Sequence, residues 1–140
     1  MAVFAATDFS IVYNGVELSS YVESVDLPVD VNPLDTTGMG TTNNNFHTRI
    51  AGLRDWKASI NFFQDFAASQ VDATFGPDII SGTTRTLTVK PTSSAVGATN
   101  PRYFGTVLAT SYGPISAKVG DLAMAKVELI GAGALTRATT

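Results

Sequence analysis

The chain has no cysteine, a single histidine and few charges, and each shortage removes a class of answer. Without cysteine, neither a disulfide framework nor a thiolate metal site can hold the fold, which fits a reducing compartment. One histidine, His47, excludes a histidine-based metal cluster, and no group of acids lies near it in sequence to complete a zinc site. No cofactor is expected. No apolar run is long enough to span a bilayer, and Met1-Ala-Val-Phe lacks the charged start and apolar core of a signal peptide, so no membrane association is expected. The nine basic residues are scattered singly and the net charge is −3. Affinity for nucleic acid comes mainly from Lys and Arg neutralising phosphates, so a surface that grips DNA is excluded. Charged residues make up only 15% of the 140, against about 25% in an average soluble protein. A domain this small has much surface to cover, so the shortage points to partners that hide part of it.

What is present alternates. Phe9 to Tyr13 is a short β run, and Asn14-Gly15 is a tight-turn signal leading into Val16-Glu17-Leu18. From Tyr21, the residues Val25, Leu27, Val29 and Val31 point one way and Ser24, Asp26, Asp30 and Asn32 the other. Pro28 cannot donate to a ladder, which marks an edge or a bulge. Asp35 to Asn45 abandons any period and is longer than the usual two to five residues of a hairpin loop, so it is expected to tip an extended hairpin whose return strand starts at Phe46–Ile50. Trp56, Ala58, Ile60 and Phe62 then alternate with Lys57, Ser59 and Asn61. After Gln64-Asp65 the period changes: Ala67, Val71, Phe75 and Ile79 form one helical stripe, with Ser69 or Asp65 as cap and Gly76-Pro77 as its break or end. Thr84–Lys90 and Arg102–Tyr112 read as strands, Gly113-Pro114 and Gly120-Asp121 as turns, and Leu122–Ile130 as the last strand. Residues 1–8 read as an N-terminal arm and 131–140 as a tail with no core face. With no repeat or linker, the expected fold is one mainly β domain over 1–140, a β-sandwich or barrel-like sheet with one short flanking helix and a long hairpin loop.

No chemistry emerges. Gly38-Met-Gly40 begins like a dinucleotide fingerprint, but no third glycine and no helix follow. Asp26 and Asp30, four apart on a strand, stand roughly 13 Å apart at about 3.3 Å per residue, and nothing apolar around them would raise one carboxyl. No serine lies in a nucleophile-elbow context to pair with His47. Trp56 sits on the apolar face, where it packs rather than stacks on a ligand. An enzyme is not expected.

Several segments, in order, resemble the major tail proteins, or tail tube proteins, of long-tailed bacteriophages, particularly phages of actinobacteria. They are Leu18-Ser-Ser-Tyr-Val, Ile50-Ala-Gly-Leu-Arg-Asp-Trp and Ala67-Ala-Ser-Gln-Val-Asp-Ala-Thr-Phe, followed by Lys90-Pro-Thr-Ser, Ala98-Thr-Asn-Pro-Arg-Tyr, Gly120-Asp-Leu-Ala and Gly133-Ala-Leu-Thr-Arg-Ala-Thr. The resemblance runs from about Leu18 to the C-terminus. It implies a structural virion protein, assembled in the host bacterial cytoplasm and located in the virion tail. Its rings would be homohexameric and stack into the tube through which DNA is ejected, meeting a tape measure, a tail terminator and distal tail proteins. Double-stranded DNA would pass without specific binding.

Residue patterns agree with that implication. A scarcity of charge suits a ring in which neighbours continue one sheet and remove its edges. The long polar loop, Asp35, Thr36, Thr37, Gly38, Met39, Gly40, Thr41, Thr42, Asn43, Asn44 and Asn45, suits contact with the next ring. Six copies at −3 would give −18 per ring, a balance that repels DNA within a screening length of about 8 Å. The first set of bore-facing candidates is Asp26 and Asp30 with Ser24; the second is Lys57, Ser59 and Asn61. A type VI secretion-like tube or ring shares the fold and is the second reading. A capsid decoration or carbohydrate-binding module is the third, disfavoured because the aromatics follow core patterns.

Overall fold

The computed structural model describes residues 3–39 and 46–140. Nine strands, β1 (Ser10–Tyr13), β2 (Val16–Glu17), β3 (Val22–Asp26), β4 (Val29–Asp35), β5 (Arg49–Phe63), β6 (Thr84–Lys90), β7 (Arg102–Ser116), β8 (Met124–Gly131) and β9 (Thr136–Ala138), belong with one helix, α1 (Val71–Ser81). The strands form one antiparallel sheet in the order β2-β1-β6-β7-β8-β5-β3, with β4 paired to β5 and β9 to β7. The mainly β fold with one helix is as the alternation implies. Asn14 and Gly15, both at positive φ, make the tight turn between β1 and β2.

The sheet curls around one core. Alternate residues of the central strands, among them Ala58, Ile60, Phe62, Val107, Val127 and Leu129, are buried on its inner face. Helix α1 covers that face through Phe75, whose ring lies 4.5 Å from Tyr13 of β1, 5.3 Å from Phe62 of β5 and 6.1 Å from Tyr112 of β7. Three strands that are distant in sheet order thus meet on one side chain.

Five local expectations need correction. Gly76-Pro77 does not end the helix, which continues to Ser81. Pro77 lacks the N–H that would bond the Ala73 carbonyl, but both residues are exposed, so water can take that place. Asp78 keeps the last turn docked: only 4% exposed, it accepts from the Tyr13 hydroxyl and pairs with Arg85. Burial and that hydrogen bond push the Tyr13 hydroxyl's pKa up. The stop is Gly82 in the left-handed region, its N–H on the Asp78 carbonyl. Neither Ser69 nor Asp65 caps the helix; Gln70 holds the cap position with no side-chain bond, while the Asp65 carboxylate accepts from Ala67 N–H just before it.

Gly113-Pro114 does not turn the chain. Strand β7 passes through it to Ser116 with a register shift against β8, the bulge that lets a proline sit in a ladder. The strand expected from Leu122 is β8 and begins at Met124, Leu122 being exposed in the preceding loop; it is not the last, since β9 follows. The tail read as having no core face packs Leu135 against the core: β8 and β9 lie end to end along β7, and Gly133 carbonyl accepts from the Trp56 indole N–H at 2.8 Å. Trp56 fits because Gly105 and Gly131 leave room for it. A Cβ on Gly105 would lie 2.7 Å from indole Cζ2, and one on Gly131 would collide with the indole's five-membered ring.

Two stability outcomes follow from this packing. Phe75→Ala should lower stability by about 3–5 kcal/mol, the range for emptying a large buried aromatic site, in a urea melt; a loss well under 1 kcal/mol would mean α1 does not hold the curled sheet. Gly105→Ala, by overpacking against Trp56, should cost about 1–3 kcal/mol and lower the midpoint of the same melt followed by Trp fluorescence.

Candidate functional site

Two surfaces remain after the core is built: the outer face of the sheet and a projecting arm. The outer face carries the residues that alternate with the core. Ser24 and Asp26 of β3 lie opposite Asn61 and Ser59 of β5, which lie opposite Lys126 and Glu128 of β8. Asn61 donates to Ser24 Oγ at 2.9 Å, and Ser59 Oγ donates to Glu128 at 2.5 Å. Lys57 continues the row opposite Ile130. Both sets of bore-facing candidates therefore fall on one face rather than on two competing ones.

Asp30 belongs to the same face but stands on the arm, directly opposite Asp55. Within the sheet proper the signs balance, Asp26 and Glu128 against Lys57 and Lys126, and the face becomes acidic only towards the arm. Alternation within β8 turns Lys126 and Glu128 outward, and the register sets them beside Asn61 and Ser59. Thr84, Thr86 and Thr88 of β6 and Thr106 of β7 extend the face with hydroxyls.

The arm is β4 with the first half of β5. Val29, Asp30 and Val31 pair with Trp56, Asp55 and Arg54, and Leu34 and Asp35 with Ile50 and Arg49. Pro28 falls where a ladder can spare a donor: its carbonyl accepts from Lys57 N–H, so the hairpin runs from Val22 to Asp35 without losing its partner. The return strand starts at Arg49 rather than Phe46 and does not break before Trp56.

At the arm's end Thr36 N–H bonds the Thr48 carbonyl, and Asp35, Thr37, His47 and Thr48 clasp the neck of the loop. Of the predicted contact loop, Asp35–Met39 are described, exposed throughout; Gly40, Thr41, Thr42, Asn43, Asn44 and Asn45 lie outside the described residues. His47 contacts Asp35 at 3.2 Å and Thr37 Oγ1 at 3.3 Å through the same ring nitrogen, Nδ1. A relay needs the carboxylate and the hydroxyl on opposite nitrogens, so this cluster is not arranged for nucleophilic catalysis. Hydrogen bonds from Thr37, with the His47 charge behind them, hold the Asp35 carboxyl down at about 2.

A cleft of about 730 Å³ runs along the free edge of β3, lined by apolar side chains such as Phe9, Val22, Val25, Leu27, Val89 and Tyr103. Among the described residues no group of three or more His, Cys, Asp or Glu is placed to hold a metal ion, and no helix is long and apolar enough to cross a membrane.

No family model and no curated protein sequence matches the chain. Solved structures do. A chain of the virion of a native gene transfer agent particle superposes with a TM-score of 0.78 at 14% identity, covering 97% of this chain and 99% of that one. The SPP1 tail tube gives 0.72 at 11% identity, covering 95% and 77%. The tail of an empty gene transfer agent particle, refined with C6 symmetry, gives 0.67 at 15%, covering 84% and 82%. Sheath-tube complexes of extracellular contractile injection systems are also among the matches. The fold is the tail tube fold. At these identities the likeness speaks for architecture over the whole sheet, arm and helix.

The neck gives a pH outcome. Because the Asp35 pKa is depressed, its contribution is complete above the ordinary carboxylate range near 4 and is lost as pH falls through about 2. The Thr37 amide resonance should titrate with a midpoint near 2; a midpoint near 4 would show that the clasp is not formed in solution.

Proposed function

We propose that this chain is the subunit of a phage-type tail tube. Copies join side by side into six-membered rings, rings stack into a hollow tube in the virion tail, and double-stranded DNA leaves through the bore. The observation that carries this reading is the combination of a curled sheet with free edges at β2 and β3, and an outer face and an arm that none of the described residues covers, in a fold shared with tail tubes along nearly its whole length. Free edges invite strand pairing with a neighbour, which is how a ring removes them.

The face of Ser24, Asp26, Lys57, Ser59 and Asn61, joined by Lys126 and Glu128, lines the bore, with Asp30 at its arm-side rim. Its charges alternate in sign and its remaining groups are hydroxyls and amides, so it offers DNA no row of cations to hold. A basic wall would exchange counterions with each passing phosphate and stall the duplex. The loop at 35–45 reaches the next ring. Assembly takes place in the host cytoplasm, and the tube's ends meet a tape measure, a terminator and distal tail proteins. The ordered segment likeness to long-tailed phage proteins favours DNA as cargo over the effectors of a secretion tube.

Deleting Thr36 to Asn45 should leave a folded monomer that does not polymerise; tubes of that variant in negative stain would remove the loop from the ring-to-ring contact. Reversing Asp26 and Glu128 together to Lys should leave tubes intact yet slow DNA release from the particle. Unchanged infectivity of a particle built from that variant would take this face out of the bore.

A further inference from the structure

The arm's inner face is a continuation of the core face that none of the described residues covers. Arg54, Gly52 and Ile50 are two, four and six residues from buried Trp56, so they share its side of β5. Val29, Val31 and Leu34 lie opposite on β4, and the Leu34 side chain rests over Gly52. Val29, Val31, Leu34 and Ile50 are all exposed. A second apolar group sits at the other end of the molecule, in and beside the β7–β8 hairpin loop: Ile115, Val119 and Leu122, with Phe66. Phe66 belongs there because Gln64, two residues before it, bonds the Pro114 and Ala123 carbonyls of that hairpin. Of the fifteen large hydrophobic side chains exposed among the described residues, eleven lie on the arm and its loop or in this second group.

These two patches cannot meet within one molecule. Ile50 is near the start of β5, and Phe63 at its end faces Met124 at the foot of the β7–β8 loop. Thirteen residues of strand at about 3.3 Å each put the patches about 40 Å apart. The two patches offer one complementary pair of charges, with Lys118 standing beside Val119 in the same loop. Arg54 sits in the arm stripe and Asp121 next to Leu122, and among the described residues neither forms an ion pair.

We infer that the β7–β8 loop patch of one copy is the receptor for the arm of the next, with Arg54 facing Asp121 across the contact. The inference rests on the ring-stacking reading above and names that contact's partner surface. Two different patches joined head to tail give a heterologous interface, which does not close and grows along the axis.

Because the native chain has no cysteine, the contact can be read by cross-linking. Ile50→Cys with Leu122→Cys, assembled and oxidised, should give a non-reducing ladder that runs past six copies, since a disulfide needs Cα atoms within about 7 Å and only stacking supplies them. Tubes with no ladder, or a ladder that stops at six, would overturn this receptor while leaving the tube reading in place. Absence of tubes from the unmodified protein at any concentration would overturn both. If the cysteine variant fails to assemble, the charge swap decides. Arg54→Glu and Asp121→Arg should each reduce polymerisation at least tenfold and together restore it; no restoration would overturn the pairing.

Discussion

Strand β5 satisfies its backbone hydrogen bonds with three different strands, and the rest of the molecule depends on that ladder. Its second half lies between β3 and β8 in the sheet; its first half has β4 alone. A two-stranded ribbon is marginal in water by itself, so the arm exists because it continues a strand that the core already fixes. The junction is Trp56, buried in the gap left by Gly105 and Gly131 and tied to the Gly133 carbonyl. Core and arm are therefore one cooperative element, and loosening the indole would loosen the part of the chain that reaches outward.

Much of this was legible in the residues. Period-two alternation in Trp56–Phe62 and Leu122–Ile130 exposed the central strands because one face is buried and the other is not. The change of period after Asp65 exposed α1 for the same reason. What stayed hidden depends on contacts distant in sequence. Pro77 reads as a stop, yet the docking of Asp78 on Tyr13 and Arg85 outweighs one missing hydrogen bond. Gly133 and Thr136–Ala138 read as tail because their partners, Trp56 and Arg102–Phe104, are far away in the chain. On the candidate surface, the alternation put Ser24, Asp26, Lys57, Ser59 and Asn61 outward, but only strand order shows that they share a face with Lys126 and Glu128. Val29 and Val31 carried a signal too: an apolar face that continues beyond the core asks for a partner.

Those features suit a subunit that polymerises, the function proposed above. Covered on one side by α1, the sheet keeps its other face bare, mixed in charge and rich in hydroxyls, which suits a wall that a charged polymer must slide past. On the proposed reading, free strand edges would serve growth around a ring, and apolar patches at opposite ends growth along an axis. The low share of charged residues is in keeping with that proposal, because surfaces that become interfaces do not need to be solvated in an assembled state.

Negative-stain electron microscopy of the purified, unmodified protein across rising concentration tests this account most directly. It should show rings and hollow tubes of uniform width whose length increases with concentration. A population that stays monomeric at the highest concentration, with no ring or tube in the images, would contradict it.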